Sequence, residues 1–203
     1  MKKFCEINIL LYWKFYIDHL KISLSKGKTS ECTGKNKFSQ QKWNVYRDAI
    51  SSATQGKFRL ISYDQIETYC QGKHLCDMRI NSKEDIPLAR YAANQAFEKT
   101  GIRTPILMNY QLIISEAVTN VIKHANKGKM SIYYKPNEFR IVIQDKGPGF
   151  PLEILSQITT QTGFSTKESL GHGFTVMMKM SKQLLLKTSS NGSTLIIILD
   201  GLN

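Results

Sequence analysis

FRIVIQDKGPGF, residues 139–150, decides how the rest of the chain is read. Phe139, Ile141 and Ile143 alternate with Arg140, Val142 and Gln144, and a period of two marks a strand with one clearly apolar face. Asp145 falls in phase with the apolar set, where the next core residue belongs. A carboxylate there is costly unless donors satisfy it. The loop KGPGF, with Gly147 and Gly149 flanking Pro148, offers backbone donors and reads as a tight turn capped by the acid. It equally suits a purine ligand, whose exocyclic amine would meet the carboxylate while the glycines let backbone approach the ring.

Before this strand, PILMNYQLIISEAVTNVIKHANKG reads as a long helix ending at Gly128. Glu116, Asn120 and His124, spaced i, i+4, i+8, line one stripe. Ile114, Ala117, Val118, Val121 and Ala125 form the broad apolar face beside it. The stripe therefore lies on the shoulder of a buried face, although a Glu and an Asn four apart ordinarily mark a helix surface facing water. After the strand, in SLGHGFTVMM, Gly171 and Gly173 open a helix. The amides and positive dipole end of such a helix suit phosphates. Glycines before a helix are common, so this motif is weak when taken alone.

The remaining elements follow from periodicity and punctuation. LCDMRI reads as a strand, and SKEDIPLARYAANQAFEKTG as a helix with a Ser82 cap, early acids and a terminal Gly101. KMSIYYK and FRIVIQD are strands joined by the turn PNE. A short helix near PLEILSQI and the polar stretch TTQTGFSTKESLGHG precede the helix FTVMMKMSKQ. Two closing strands, LLLKTSS and STLIIIL, join at Asn191-Gly192. Locally paired strands with helices between them predict an α+β, two-layer sandwich: a mixed, mostly antiparallel sheet covered by helices on one face. This domain is expected over residues 75–203. Residues 1–74 are expected to be an extension of uncertain order, in which KISLSKGKTSECTGKNKFSQQKW reads as a linker and FRLISYDQIETYC adds a strand and a helical turn.

Composition sets limits on function. The chain has 203 residues, 41% of them hydrophobic, enough for a packed core. A formal charge of +12 favours an anionic partner. The charge is spread over both halves with no tight basic block, so a solvated basic surface is expected rather than a nucleic-acid site. Cys5, Cys32, Cys70 and Cys76 form no CxxC pair, which suits a reducing, cytosolic setting. CQGKHLC brings Cys70, His74 and Cys76 together, but tetrahedral zinc needs a fourth ligand and none is nearby. The opening MKKFCEINILLYWKFYIDHLKI is interrupted by Glu6, Lys14 and Asp18 and shows no small-residue cleavage site. It is too short and too charged to span a bilayer. A cytoplasmic protein without stable membrane insertion is expected.

The order of the motifs is more specific than any one of them. ExxxN on a helix, DxGxG after a strand, a polar lid and GxG at a helix start resemble the N, G1 and G2 boxes of the Bergerat, or GHKL, ATPase fold. SEAVTNVIKHA, DKGPGF, GFSTKESLGHGFTVM and the closing GSTLIII further resemble the small bacterial serine kinases that act as anti-sigma factors or stress-signalling switches. The likeness covers about Met78 to Leu199. It implies a serine/threonine protein kinase that uses ATP and Mg²⁺. By the resemblance, Glu116 is the general base and Asn120 the magnesium ligand. Asp145 accepts from the adenine amino group beside Gly147 and Gly149. Thr194 supports a water at the adenine, Gly171, His172 and Gly173 contribute backbone to the phosphates, and Lys167 lies in the lid. The implied partner is a STAS-domain (anti-anti-sigma) protein carrying the target serine, alongside a sigma factor or a phosphatase, and a homodimer fits the same analogy.

The chain departs from that family in two places. Its first seventy-odd residues have no counterpart there, and Met78-Arg79-Ile80 would itself make a start in that family. His172 is an unusual occupant of the G2 box. Three other readings compete. A sensor histidine kinase needs a phosphoacceptor histidine on a preceding helix, and His19 and His74 lie in unsuitable contexts. Gyrase-, chaperone- and mismatch-repair-type relatives need further domains. The serious rival is a nucleotide-dependent module that binds a sigma factor or phosphatase partner and transfers nothing.

Overall fold

A computed structural model describes residues 33–102, 104–125, 127–152, 154–155 and 170–201. The strand that ends in the acid is β4 (Glu138–Asp145), and it pairs antiparallel with β3 (Gly128–Lys135) through a two-residue turn at Pro136 and Asn137. Asn137 takes φ +62°, which asparagine tolerates better than other side chains. On its other side β4 pairs antiparallel with β6 (Gly192–Asp200), which forms a hairpin with β5 (Gln183–Ser189). An outer strand β2 (Lys73–Ile80) runs antiparallel to β3, and β1 (Phe58–Leu60) runs parallel to β5. The resulting six-stranded sheet has the order β1-β5-β6-β4-β3-β2. It is mixed and mostly antiparallel, as expected.

The helices among the described residues are α1 (Thr33–Ala53), α2 (Tyr63–Tyr69), α3 (Asp85–Glu98), α4 (Thr104–His124) and α5 (Leu170–Met180). Small residues at Ala89 and Ala93 on α3, and Ile113, Ile114, Ala117, Val118 and Val121 on α4, pack with Phe174 and Met177 of α5. They cover Met130, Ile132, Phe139, Ile141, Ile143, Leu195, Ile197 and Leu199 of the sheet. Phe97, Tyr110 and Phe139 meet edge-to-face in this layer, a geometry that adds to the area that they bury.

Three local features differ from the sequence reading. Ser82 does not cap α3; the Asp85 carboxylate instead reaches back to accept from the amides of Asn81 (2.7 Å) and Ser82 (3.0 Å). The helix predicted to end at Gly128 stops at His124, and Gly128 opens β3. The polar stretch read as a linker is helical from Thr33 onward. Lys, Gln and Arg are good helix formers, and Trp43, Tyr46 and Ile50, at i, i+3 and i+7, supply the apolar stripe that docks its second half on the core.

The chain divides into two compact units, Met1–Lys42 and Trp43–Asn203. In the second, β1 and α2 belong to the sheet domain although they precede residue 75. The helices α3, α4 and α5 share one face of the sheet, but the other face is not bare. Val142, Leu185, Ile196 and Ile198 form a second cluster there with Ile61 and Ile66, the latter from α2. As a result β6 is buried from Gly192 through Leu199. Arg140 ties α2 down: its guanidinium donates to the Thr68 carbonyl (3.1 Å) and lies 5.4 Å from the Tyr69 ring centre.

Candidate functional site

At the end of the sheet where β4 finishes, a cavity of about 190 Å³ opens between α4, the loop after β4 and the hairpin of β5 and β6. Ala117, Asn120, Val121 and His124 line it from α4. Ile143 and Asp145 line it from β4, Gly147, Pro148, Gly149 and Phe150 from the loop, and Ser193 and Leu195 from β6. The walls are mostly apolar with a few convergent polar groups, the usual make-up of a small-molecule site.

Asp145 continues the side of β4 that buries Phe139, Ile141 and Ile143. Its Oδ1 accepts from the amides of Gly147 (2.8 Å) and Ser193 (3.3 Å). Two backbone donors offset the cost of placing a carboxylate at a half-buried position. Both bonds fall on Oδ1, so Oδ2 carries neither of them. Gly147 lets the loop press onto the end of α4: a Cβ there would lie 2.8 Å from Ala125 Cβ and 3.0 Å from the His124 carbonyl oxygen.

Glu116 and Asn120 are half-buried, one helical turn apart on α4. The first turn of α5 crosses Glu116 at Gly173, whose missing side chain leaves room for the carboxylate. The helix ExxxN, the strand-end DxGxG and the glycine-bearing helix start, more than fifty residues apart at their extremes, thus converge. Gly171 and His172 lie in the first turn of α5, and Lys167 lies outside the described residues.

Thr194 is not at the cavity. On β6 it pairs with Gln144, and alternate residues of a strand face opposite sides. Its side of the strand is that of Ile196 and Ile198, which belong to the second cluster, whereas Ser193 and Leu195 line the cavity. The hydroxyl residue that lines the cavity from β6 is Ser193. Counting alternation back from Leu195, the partner of Ile143, was the signal that could have found it. His124, noted only as the last member of the stripe, also lines the cavity.

The CQGKHLC cluster is remote in character from this site. Cys70 and Cys76 are free, and His74 Nε2 is bonded to Asp77 Oδ1 at 2.9 Å. Burial pushes the Cys76 thiol up to about 11, so it stays protonated at neutral pH. No group of three or more His, Cys, Asp or Glu side chains that could hold a metal ion occurs among the described residues. No helix among them is long and apolar enough to cross a membrane.

Residues 81–199 match the family described as Histidine kinase-like ATPase domain. The chain belongs to this family. The match spans both the ExxxN helix and the glycine-bearing start of α5, and it takes in most of the residues that line the cavity. Among curated proteins, the chain is similar to serine-protein kinase RsbW of Staphylococcus aureus (strain JH9), 34% identical over 85 residues, covering 38% of this chain and 54% of that protein. The chain thus spans about half the length of the curated relatives that it matches. Among solved structures, it is similar to a chain in the SiaB-SiaC complex from Pseudomonas aeruginosa, with a TM-score of 0.50 and 14% identity over 67% of this chain and 95% of that one. At that identity the likeness bears on the fold, and it agrees with the α+β sandwich described above.

Proposed function

We propose that this protein is an ATP-dependent serine/threonine protein kinase of the anti-sigma type, cytoplasmic, with the core of its ATP-binding domain over residues 75–203 and β1 and α2 added to it from the preceding segment. Its substrate is a Ser or Thr of a small STAS-type protein, and a sigma factor or phosphatase is a second partner. The observation that supports the reading best is the meeting of Asn120 and Asp145 at one cavity, with Glu116 one turn away against Gly173. The similarity to a serine-protein kinase supports the choice of acceptor.

In this reading Asp145 accepts from the exocyclic amine of adenine, with Gly147 and Gly149 forming the adjacent wall. The first turn of α5, through Gly171, His172 and Gly173, directs backbone amides at the phosphates, and Lys167 adds charge from the lid. The residues fit Mg²⁺: the Asn120 side-chain oxygen is a hard donor, and such an ion takes one or two protein ligands and fills its shell with phosphate oxygens and water. When bound, the ion neutralises charge that develops on the phosphates. Glu116 orients the acceptor hydroxyl and takes its proton, a contribution typically worth about 10²–10⁴ in rate.

The test is label transfer from γ-labelled Mg-ATP in a lysate of the source organism, with the wild type and Glu116→Ala side by side. The expected result is an acid-stable label on a small second protein with the wild type alone, while Glu116→Ala binds ATP as tightly. Equal transfer by Glu116→Ala would remove the base assignment. Absence of transfer by a wild type that binds ATP would leave a nucleotide-dependent binding module instead.

A further inference from the structure

The wall of the cavity formed by the loop after β4 is held from behind by a residue that does not line the cavity. Thr188, near the end of β5, has a side-chain oxygen that accepts from the Phe150 amide at 2.6 Å. The same oxygen stands 3.4 Å from Ser193 Oγ, a pair in which either hydroxyl can donate, and 3.5 Å from the Phe150 carbonyl, which can accept its proton. Gly149, at φ +76°, folds directly over it: a Cβ there would lie 2.8 Å from Thr188 Oγ1. Ser193, at the other end of this network, donates its amide to Asp145 Oδ1.

One hydroxyl therefore joins the two sides between which a flat ring would slide, the loop at Gly149 and Phe150 and the strand at Ser193. We propose that Thr188 is a positioning residue for the nucleotide base, fixing the distance between the loop wall and the Asp145–Ser193 side. The proposal rests on the reading of the cavity as an adenine nucleotide site. It goes beyond the three sequence boxes, because Thr188 belongs to none of them. A strand residue is suited to the task, since its backbone is fixed by pairing with Ser193 across the hairpin.

The experiment compares the full-length wild type with Thr188→Val, Thr188→Ser and Asp145→Asn. Affinity is read by titration with a fluorescent N-methylanthraniloyl ATP, and the loop by hydrogen exchange of the Gly149 and Phe150 amides. Valine keeps the shape and the strand preference but removes the hydroxyl. Loss of one buried hydrogen bond predicts affinity about tenfold weaker for Thr188→Val. The two loop amides exchange faster while the rest of the exchange pattern is unchanged. Thr188→Ser keeps the hydroxyl and binds like the wild type. Wild-type affinity in Thr188→Val, with Asp145→Asn weakened, overturns the proposal and leaves the adenine reading standing. Equal weakening in Thr188→Ser and Thr188→Val also overturns it, because the methyl group and not the hydroxyl would then matter. Wild-type affinity in Asp145→Asn overturns the adenine reading, and the proposal falls with it.

Discussion

Gly173 is where one atom more would test the site most cleanly. A Cβ built there runs into the Glu116 carboxylate, with the carboxyl carbon at 3.3 Å, and the atoms in its way belong to the far end of a flexible side chain. Gly173→Ala is therefore accommodated by moving Glu116 rather than by moving α5. Alanine also favours a helix over glycine by about 1 kcal/mol. The expected outcome is a protein at least as stable as the wild type in thermal melts, with ATP affinity within a few-fold. If Glu116 is the general base, as proposed, phosphoryl transfer falls by about 10² or more. Transfer at the wild-type rate would show that the carboxylate has no role at that position. At this scale the sequence was informative where a residue broke a pattern. Asp145 stood out because a charge sat in phase with Phe139, Ile141 and Ile143. Ser193 and Thr194 are chemically alike, and only strand register distinguishes which of them faces the cavity.

Among the elements, α2 is the one whose role composition concealed. Seven residues are too few to hold a helix in water, so α2 exists because Ile66 and its neighbours bury against the second face of the sheet. Ser62 and Gln65 fix its start through the Gln65 side chain, which accepts from the Ser62 amide at 3.1 Å. Truncation of Ile66 to alanine removes apolar area and costs about 2 kcal/mol, the lower end for a buried aliphatic residue. The loss is local, because the cavity proposed to take ATP lies on the other side of the sheet. Hydrogen exchange should rise across residues 62–70 while nucleotide affinity stays unchanged, and a fall in affinity would show that the two faces are coupled. The sequence showed the strand and helical turn of FRLISYDQIETYC but not what they cover, since Val142 and Ile196 read as outward-facing until a partner for that side is known. The first half of α1 was missed for the opposite reason: its polar residues lack the periodicity that marks a buried helix, and the stripe begins only at Trp43.

Across the whole molecule, α4 links the cavity to the far end of the sheet. Its 21 residues span roughly 30 Å at about 1.5 Å per residue. Near its start the Tyr110 hydroxyl donates to the Asp200 carbonyl, at the end of β6 remote from Asp145. Near its finish Asn120 and His124 line the cavity. Tyr110 thus fixes the register of the helix on the sheet, and with it the position of the polar stripe. Burial, aided by the nearby Asp200 charge, pushes the Tyr110 phenol up to about 12, against about 10 in an unfolded chain. The fold therefore favours the protonated phenol. Its contribution is complete below pH 10 and is lost as pH rises from 10 to 12, where the unfolded state has released a proton that the folded state still holds. Tyr110→Phe lacks both the hydrogen bond and the titration. Its urea midpoint should lie below that of the wild type at pH 9.5, and the gap should narrow by pH 11.5. A gap of constant size over that range would mean that the phenol ionises alike in both states, and no gap at either pH would mean that the Asp200 contact does not hold α4 in place.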